Sequence, residues 1–330
     1  MSRWTLSLAL ALLLALTILL GVRFGSVSVS SAALLDVLMG RGDATDSDIV
    51  LRIRLPRVML GALVGGGLAT AGATFQALLR NPLAEPYILG ISGGASVGAV
   101  LVLAFGWAVA GSWVLPLAAF AGALVAITLV FRVATATGRA MDVRVLLLAG
   151  VVVAAFFSAC IALILSVSPA RTVQSAVLWI MGSLSAASWS GVALTAAYTL
   201  PAVLLLIGLA RPLNLMAIGE ETAHYLGTDV EAVKRLSLGT AALVTAAGVA
   251  VAGVIGFVGL VVPHAVRLLV GSDHRAVLPL SFLAGATFLS LADLVARLAF
   301  PPTEIPIGVV TAFVGVPFFL VLLRRSLSAP

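Results

Sequence analysis

The sequence predicts an all-α protein that crosses a membrane about ten times. Hydrophobic residues make up 62% of its 330 positions and charged residues only 10%, and the mean hydropathy is +1.21. Soluble domains are typically about one quarter charged, so this composition excludes an ordinary soluble fold. Apolar runs recur along the whole chain, and no linker or low-complexity tract divides it. We therefore expect a single transmembrane domain over residues 1–330.

Each predicted span is an apolar run of a length that suits a bilayer, which a helix crosses with about 20 residues. In chain order the runs are residues 5–22, 58–79, 88–107, 113–133, 145–165, 190–210, 236–255, 257–270, 276–299 and 307–323. The first run follows Arg3 and precedes small residues at 30–33, so a cleaved signal peptide is the alternative interpretation. Its length favours a retained first span.

Ten spans place both termini on one side of the membrane. Twelve of the nineteen Lys and Arg residues then fall on that side, which the positive-inside rule identifies as the cytoplasm. On the outer side, Ser30 or Ser31 can cap a short helix that extends through Met39. Residues 171–182, also outside, carry apolar side chains at helical spacing and predict a second short helix.

The charged and reactive residues exclude several functions. The surplus of six positive charges is spread over span ends without interleaved aromatic residues, so nucleic-acid binding is not expected. Cys160 stands alone in an apolar run, and we expect no metal site. The sequence holds no nucleophile with a neighbouring base and no G-x-x-x-x-G-K-[ST] phosphate loop. We therefore expect no catalytic residue and no ATP hydrolysis by this chain.

The spans are poor in groups that could carry protons. Residues 58–79, 88–131 and 145–165 contain no acidic, basic or histidine side chain, whereas a proton-coupled carrier needs titratable groups along its path. Asp293 is the best candidate, but Arg297 lies four residues later on the same helical face, which favours an ion pair. A proton-coupled secondary transporter, and a passive channel or scaffold, stay open as alternatives to transport driven from outside the bilayer.

The most specific segment covers residues 72–99 and reads GATFQALLRNPLAEPYILGISGGASVGA. Asn81 and Glu85 each precede a proline, which disfavours helical backbone, and the glycines at 90–98 allow the next helix to pack closely. The segment therefore predicts a helix, a corner and another helix. As a whole it resembles the permease subunits of ATP-binding-cassette (ABC) importers for iron-siderophore, haem and cobalamin.

This resemblance covers about residues 52–323 and implies the type II ABC importer permease fold. It implies a homodimer around a central pathway in the cytoplasmic membrane, surrounded by membrane lipid. It also implies two separate ATPase subunits that hold ATP and magnesium, so no cofactor is expected on this chain. A periplasmic or lipid-anchored substrate-binding protein would deliver the cargo. The sequence leaves open whether that cargo is a siderophore, haem or cobalamin.

Residues 219–235 form a polar segment on the predicted cytoplasmic side. Glu220 and Glu221 suit the start of a helix and Gly227 its end, while Thr228 with Glu231 has capping-box spacing for a second short helix. An ordinary structured loop is the alternative. In the family that the chain resembles, such helices sit in a groove of the ATPase. The resemblance carries this coupling role to Glu220, Glu221, Ala223, Leu226 and Gly227.

Arginines are concentrated just before the second span, on the predicted outer side and against the positive-inside rule. Anchoring to lipid headgroups is one explanation, and docking of an acidic partner surface is the other. The string RLPR and the run ADLVAR resemble the family pattern. The resemblance implies that Arg54, Arg57 and Arg297 form ion pairs with glutamates of the substrate-binding protein. Arg52 lies outside that pattern.

Two further strings also resemble the family. In residues 253–267, glycines at 253, 256 and 259 predict close helix packing, and His264 has no second metal ligand at useful spacing. In residues 304–320, Gly308, Thr311 and Gly315 form a small, weakly polar stripe on the tenth span. That span lines the pathway in the family, so the stripe is a candidate pathway wall. Helix packing explains it equally well.

Overall fold

The computed structural model describes residues 3–25, 27, 29–109, 112–136 and 141–328, and these residues form helices without any strand. The helices are α1 Arg3–Arg23, α2 Ser31–Leu38, α3 Leu55–Leu78, α4 Ile91–Ala104, α5 Val114–Thr135, α6 Val143–Ser166, α7 Ala170–Ile180, α8 Trp189–Gly208, α9 Ala210–Ile218, α10 Glu220–Tyr225, α11 Val230–Ala252, α12 Val258–Val270, α13 His274–Leu298 and α14 Ile307–Ser328. A first turn Ala44–Ser47 and a π-helical segment Asp48–Arg54 lead directly into α3, and a 3-10 turn Pro86–Leu89 precedes α4.

A helix lies within each predicted span, which confirms the all-α, multi-pass fold. Seven helices in the described part of the chain are long and apolar enough to cross a membrane. The third predicted span is wrong in detail, because residues 88–107 do not form one helix. Gly90 adopts a left-handed conformation with φ 71°, which separates the 3-10 turn from α4. With 14 residues, α4 extends about 21 Å and does not cross the hydrocarbon core alone.

Two side-chain contacts define the ends of the helix bundle. Arg3, at the start of α1, donates to Asp273 just before α13, with 2.9 Å between Nη1 and Oδ2. At the other end of the same two helices, Arg297 Nη2 donates to the carbonyl oxygen of Gly21 at 3.1 Å. We call the first end the terminal face and the second the arginine face.

Helix α3 is the centre of the bundle, and nearly all of its residues are buried against α8, α11, α12 and α13. Small residues allow these close approaches. A Cβ atom on Gly65 would lie 2.3 Å from the carbonyl oxygen of Gly285, and one on Gly72 would lie 1.9 Å from that of Gly259. Backbones that approach so closely pack well without a hydrophobic driving force between helices.

Replacing Gly72 by Ala is expected to destabilise the protein by about 1–3 kcal/mol, because the added methyl group meets backbone atoms of α12 that cannot rotate away. A thermal unfolding curve in detergent measures the change. Gly239→Ala is the matched control, since nothing lies within 4 Å of its added Cβ and alanine favours a helix interior. Equal midpoints for the two variants would contradict the packing role of Gly72.

Of the short helices predicted between the spans, two outer ones are present, whereas the second one within 219–235 is not. The helix that begins after Ser30 is confirmed, since Ser30 Oγ accepts from the Ala33 N–H at 3.1 Å, and α7 confirms the helix within 171–182. The second short helix predicted within 219–235 is wrong, because α11 begins at Val230 and continues for 23 residues. Its cap is Asp229, whose Oδ1 accepts from the Ala232 N–H at 3.0 Å. The actual neighbour of α10 is α9, which the sequence did not reveal.

Candidate functional site

The predicted coupling residues lie on α10 and the turn that follows it, at the terminal face. Within α10, Ala223 is fully buried, whereas Tyr225 is 86% exposed and the following Leu226 is 61% exposed. Gly227 ends the helix with φ 83°, a left-handed conformation that favours glycine. Adjacent exposed aromatic and aliphatic side chains outside the spans are typical of a surface that binds another protein.

Helix α10 is anchored at its base by Lys234, a buried residue of α11. Lys234 Nζ lies 2.5 Å from Glu220 Oε2 and donates to the Met141 carbonyl at 3.1 Å. Arg80, at the end of α3, reaches the other oxygen of Glu220 at 3.8 Å. Glu220 is therefore occupied within the chain, while Glu221 is exposed. Sequence reasoning missed Lys234, because nothing local marks its partners, which lie 14 and 93 residues away.

A second polar network ties α9 to the same face. Asn214 Nδ2 donates to Asp273 Oδ1 at 2.8 Å, and the Asn214 side-chain oxygen accepts from the His274 N–H at 2.9 Å. The hydrogen bond from Asn214, together with those from the Arg275 N–H and Arg3, holds the pKa of Asp273 below its usual value. The starts of α1 and α13 and the short helix α9 thus form one connected unit next to α10.

At the arginine face, the buried carboxylate of Asp293 binds the buried residues Arg57 and Arg297, and the partly exposed carboxylate of Glu304 also binds Arg57. Arg57 contacts Asp293 through Nε and Nη2, both within 3.0 Å of Oδ1, and Glu304 through Nη1 at 3.0 Å and Nη2 at 2.9 Å. Arg297 Nε lies 3.1 Å from Asp293 Oδ2. The predicted pair of Asp293 and Arg297 is therefore confirmed, and Arg57 joins it from 236 residues away.

Carbonyl groups at and just beyond the end of α1 accept hydrogen bonds from Arg54 and Arg297. Arg54 donates to the carbonyl oxygens of Val22 at 3.1 Å and Arg23 at 2.6 Å, and Arg297 Nη1 donates to that of Phe24 at 3.0 Å. The last carbonyls of a helix have no intrahelical partner, so the arginines cap α1. The guanidinium groups of Arg54, Arg57 and Arg297 are buried, and their docking to a partner stays a prediction. Arg52 is exposed and pairs with Asp48.

The three residues of the predicted pathway stripe on α14 lie in different environments. Thr311 is fully buried, with Oγ1 donating to the Gly308 carbonyl at 3.1 Å, and a Cβ on Gly315 would lie 2.4 Å from the Phe257 ring. Both are packing positions, and the pathway role stays a prediction. Gly308 borders an apolar cleft of about 590 Å³. The cleft is lined by Met181, Val254, Gly256, Phe257, Gly308, Val309, Ala312, Phe313, Val316 and Pro317.

Of the three glycines predicted to allow close helix packing, only Gly259 lies in a helix. Gly259 does contact α3, but Gly253 and Gly256 fall in the non-helical segment between α11 and α12. The His264 ring packs edge-on against Phe318, with 6.3 Å between ring centroids. Within the described ranges, no three His, Cys, Asp or Glu side chains converge as metal ligands.

Comparisons with known proteins agree with this architecture. The model of the FecCD transport family matches residues 13–325. The cobalamin import system permease protein BtuC of Halobacterium salinarum is 48% identical over 84% of this chain and 73% of its own. The hemin transport system permease protein HmuU of Yersinia pestis is 39% identical over 97% of this chain and 96% of its own.

A solved inward-facing structure of a metal-chelate type ABC transporter is also similar. It superposes with a TM-score of 0.87 at 31% identity, covering 97% of this chain and 99% of the other. The two chains therefore share their fold over nearly their whole length. The chain belongs to the FecCD transport family and is a multi-pass ABC importer permease, which is not an enzyme and whose ATPase is a separate subunit.

Proposed function

We propose that this permease imports a bulky metal chelate, namely a siderophore complex, haem or cobalamin, driven by a separate ATPase. The observation that carries the proposal is α10, which exposes Tyr225 and Leu226 while Lys234 anchors its base to the bundle. Such a helix moves as a rigid lever when a partner bound to it changes shape. The names of similar proteins support this class of cargo, since they refer to cobalamin, hemin and a metal chelate.

In this proposal two copies of the chain form a homodimer, and the apolar clefts beside α14 face the pathway between them. Apolar walls suit such a cargo because they offer few groups that would hold a large complex during passage. Two ATPase subunits bind at the terminal face, which is then cytoplasmic together with both termini. The position of Asp293 gives no support to the proton-coupled alternative, because its carboxylate is buried and ion-paired with both Arg57 and Arg297.

The arginine face is then the outer surface of the cytoplasmic membrane, where a periplasmic or lipid-anchored substrate-binding protein docks. Glutamates of that protein would pair with Arg54, Arg57 and Arg297, as the family resemblance implies. Glu304 is 34% exposed, whereas the Arg57 side chain beneath it is 9% exposed. A partner carboxylate therefore reaches Arg57 by displacing Glu304, the more accessible of its two carboxylate partners.

Uptake into proteoliposomes tests the proposal. We expect permease, ATPase and binding protein together to import radiolabelled cobalamin, haem or a ferric siderophore only when ATP is supplied. Omitting the ATPase or the binding protein should stop uptake, and a proton gradient alone should drive none. Gradient-driven uptake by the permease alone would contradict the proposal, as would uptake independent of both ATP and binding protein.

Replacing Glu304 by Gln is expected to tighten binding of the substrate-binding protein by about threefold to tenfold at low salt, because Arg57 loses an internal competitor for the partner carboxylate. Surface plasmon resonance at several salt concentrations measures the affinity. Glu231→Gln is the matched control, a partly exposed carboxylate paired with Arg235 at the terminal face. Unchanged or weaker binding by the Glu304 variant would contradict docking on Arg57.

A further inference from the structure

A break in the helical path lies at membrane depth. Residues 253–257 separate α11 from α12, and α12 has only 13 residues, about 20 Å, before it reaches the terminal face. The hydrocarbon core is about 30 Å thick, so the break lies inside it. Non-helical backbone at this depth is tolerated only where it is buried in protein or lines a cavity, because lipid offers no hydrogen bonds.

The corner between α3 and α4 supplies the missing hydrogen bonds. Glu85 Oε1 accepts from the Phe257 N–H at 2.7 Å. The Tyr87 hydroxyl accepts from the Ile255 N–H at 3.2 Å and donates to the Ile255 carbonyl at 3.0 Å. These side chains come from about 170 residues earlier in the chain. Three backbone groups of the non-helical segment, the N–H groups of Ile255 and Phe257 and the Ile255 carbonyl, are thus hydrogen-bonded although they lie outside a helix.

Phe257 has an unusual backbone conformation, with φ 67°. A residue with a Cβ rarely adopts this left-handed region, so the surrounding contacts must hold it there. The hydrogen bond to Glu85 acts directly on its N–H. In this conformation the ring lies against Gly315 of α14, where only glycine leaves room, and it lines the apolar cleft.

We propose that Phe257 is a specificity-determining residue of the pathway wall and that Glu85 is its positioning residue. The proposal rests on the proposed function, which assigns the cleft beside α14 to the cargo pathway. Phe313, which is 77% exposed, supplies a second ring to the same cleft. Two rings at fixed positions set the width and the apolar character of the wall. Without its bond to Glu85, residue 257 relaxes towards ordinary backbone angles and its ring leaves the wall.

Cysteine labelling of the complete transporter in proteoliposomes tests the positioning role. In a Cys160→Ser background, Phe257→Cys should react with a soluble maleimide, whereas Ala246→Cys, at a fully buried position of α11, should not. Adding Glu85→Ala should change the labelling rate at position 257 by about fivefold or more, because the acceptor is lost. Glu85→Gln keeps an acceptor oxygen and should stay within about twofold.

Cargo selection tests the specificity role with a second readout. Phe257→Leu and Phe257→Trp should shift the ratio of cobalamin to haem uptake in opposite directions by about threefold or more, while ATPase binding stays unchanged. If Glu85→Ala does not fold, Tyr87→Phe removes the bonds to Ile255 and replaces it in the labelling experiment.

Three outcomes would overturn the inference: no labelling at position 257, equal labelling rates in Glu85→Ala and Glu85→Gln, or an unchanged cargo ratio in both Phe257 variants. Failure of the proposed function is distinguishable, because the unmodified transporter would then show no ATP-driven uptake at all. The labelling comparison would still report whether Glu85 positions residue 257.

Discussion

Replacing Asp293 by Asn is expected to lower the free energy of unfolding by about 3–5 kcal/mol, the largest effect of any single substitution at the arginine face. The substitution leaves two buried arginines without the carboxylate they share, since Arg57 is 9% and Arg297 4% exposed at the side chain. A denaturant or thermal titration of the purified permease in detergent measures the loss.

Two further variants sharpen this experiment. Asp48→Asn removes an exposed carboxylate from its pair with Arg52 and should cost no more than about 1 kcal/mol. Adding Arg297→Met to Asp293→Asn should recover part of the stability, because removing both buried partners is less costly than removing one. Equal stability of the Asp293 and Asp48 variants would contradict a buried ion-pair cluster. ATP-driven uptake by folded Asp293→Asn would further exclude a proton relay through this residue.

Replacing Leu226 by Asp is expected to weaken assembly with the ATPase by about 30-fold or more and to abolish ATP-driven uptake. Leu226 is 61% exposed at the terminal face, so the substitution removes an apolar contact without disturbing the core. Pull-down of the ATPase by the permease measures assembly, and uptake into proteoliposomes measures coupling.

A matched truncation separates docking from general effects. Leu226→Ala and Tyr225→Ala should each weaken assembly, whereas Leu204→Ala should not, although Leu204 on α8 is 68% exposed. All three variants should retain the unfolding midpoint of the unmodified protein. Normal assembly by Leu226→Asp would contradict the coupling role of α10, and the exposed apolar surface there would need another partner.

Much of the fold could be predicted because membrane spans are local features. A run of apolar residues long enough to cross the bilayer forms a helix whatever its neighbours are, since every backbone group must be satisfied within the segment. The predicted boundaries of α6 and α13 therefore agree with the structure within two residues. The prediction failed at Gly90, where a left-handed residue interrupts the third predicted span, and it missed the full extent of the break at 253–257, where Glu85 and Tyr87 from elsewhere in the chain satisfy the backbone.

The candidate site was predictable to a smaller extent. The pair of Asp293 and Arg297 follows from a spacing of four residues on one helix, and the exposure of Leu226 follows from a polar segment between spans. The burial of Arg54 and Arg57 does not follow from any local pattern. Their acceptors belong to other helices, and only the packing of α1 and α13 against α3 brings them together.

A multi-span permease can be identified from the amino-acid sequence alone, because the length of the apolar runs and the long segment that resembles the family do not depend on tertiary contacts. Which polar groups come into contact depends on the packing of the helices. Glu85 contacts the backbone of Phe257, Lys234 contacts Glu220, and Arg57 contacts Asp293 across 236 residues. Such contacts depend on how helices rotate and pack, and helix rotation is set by the fit of small residues between backbones.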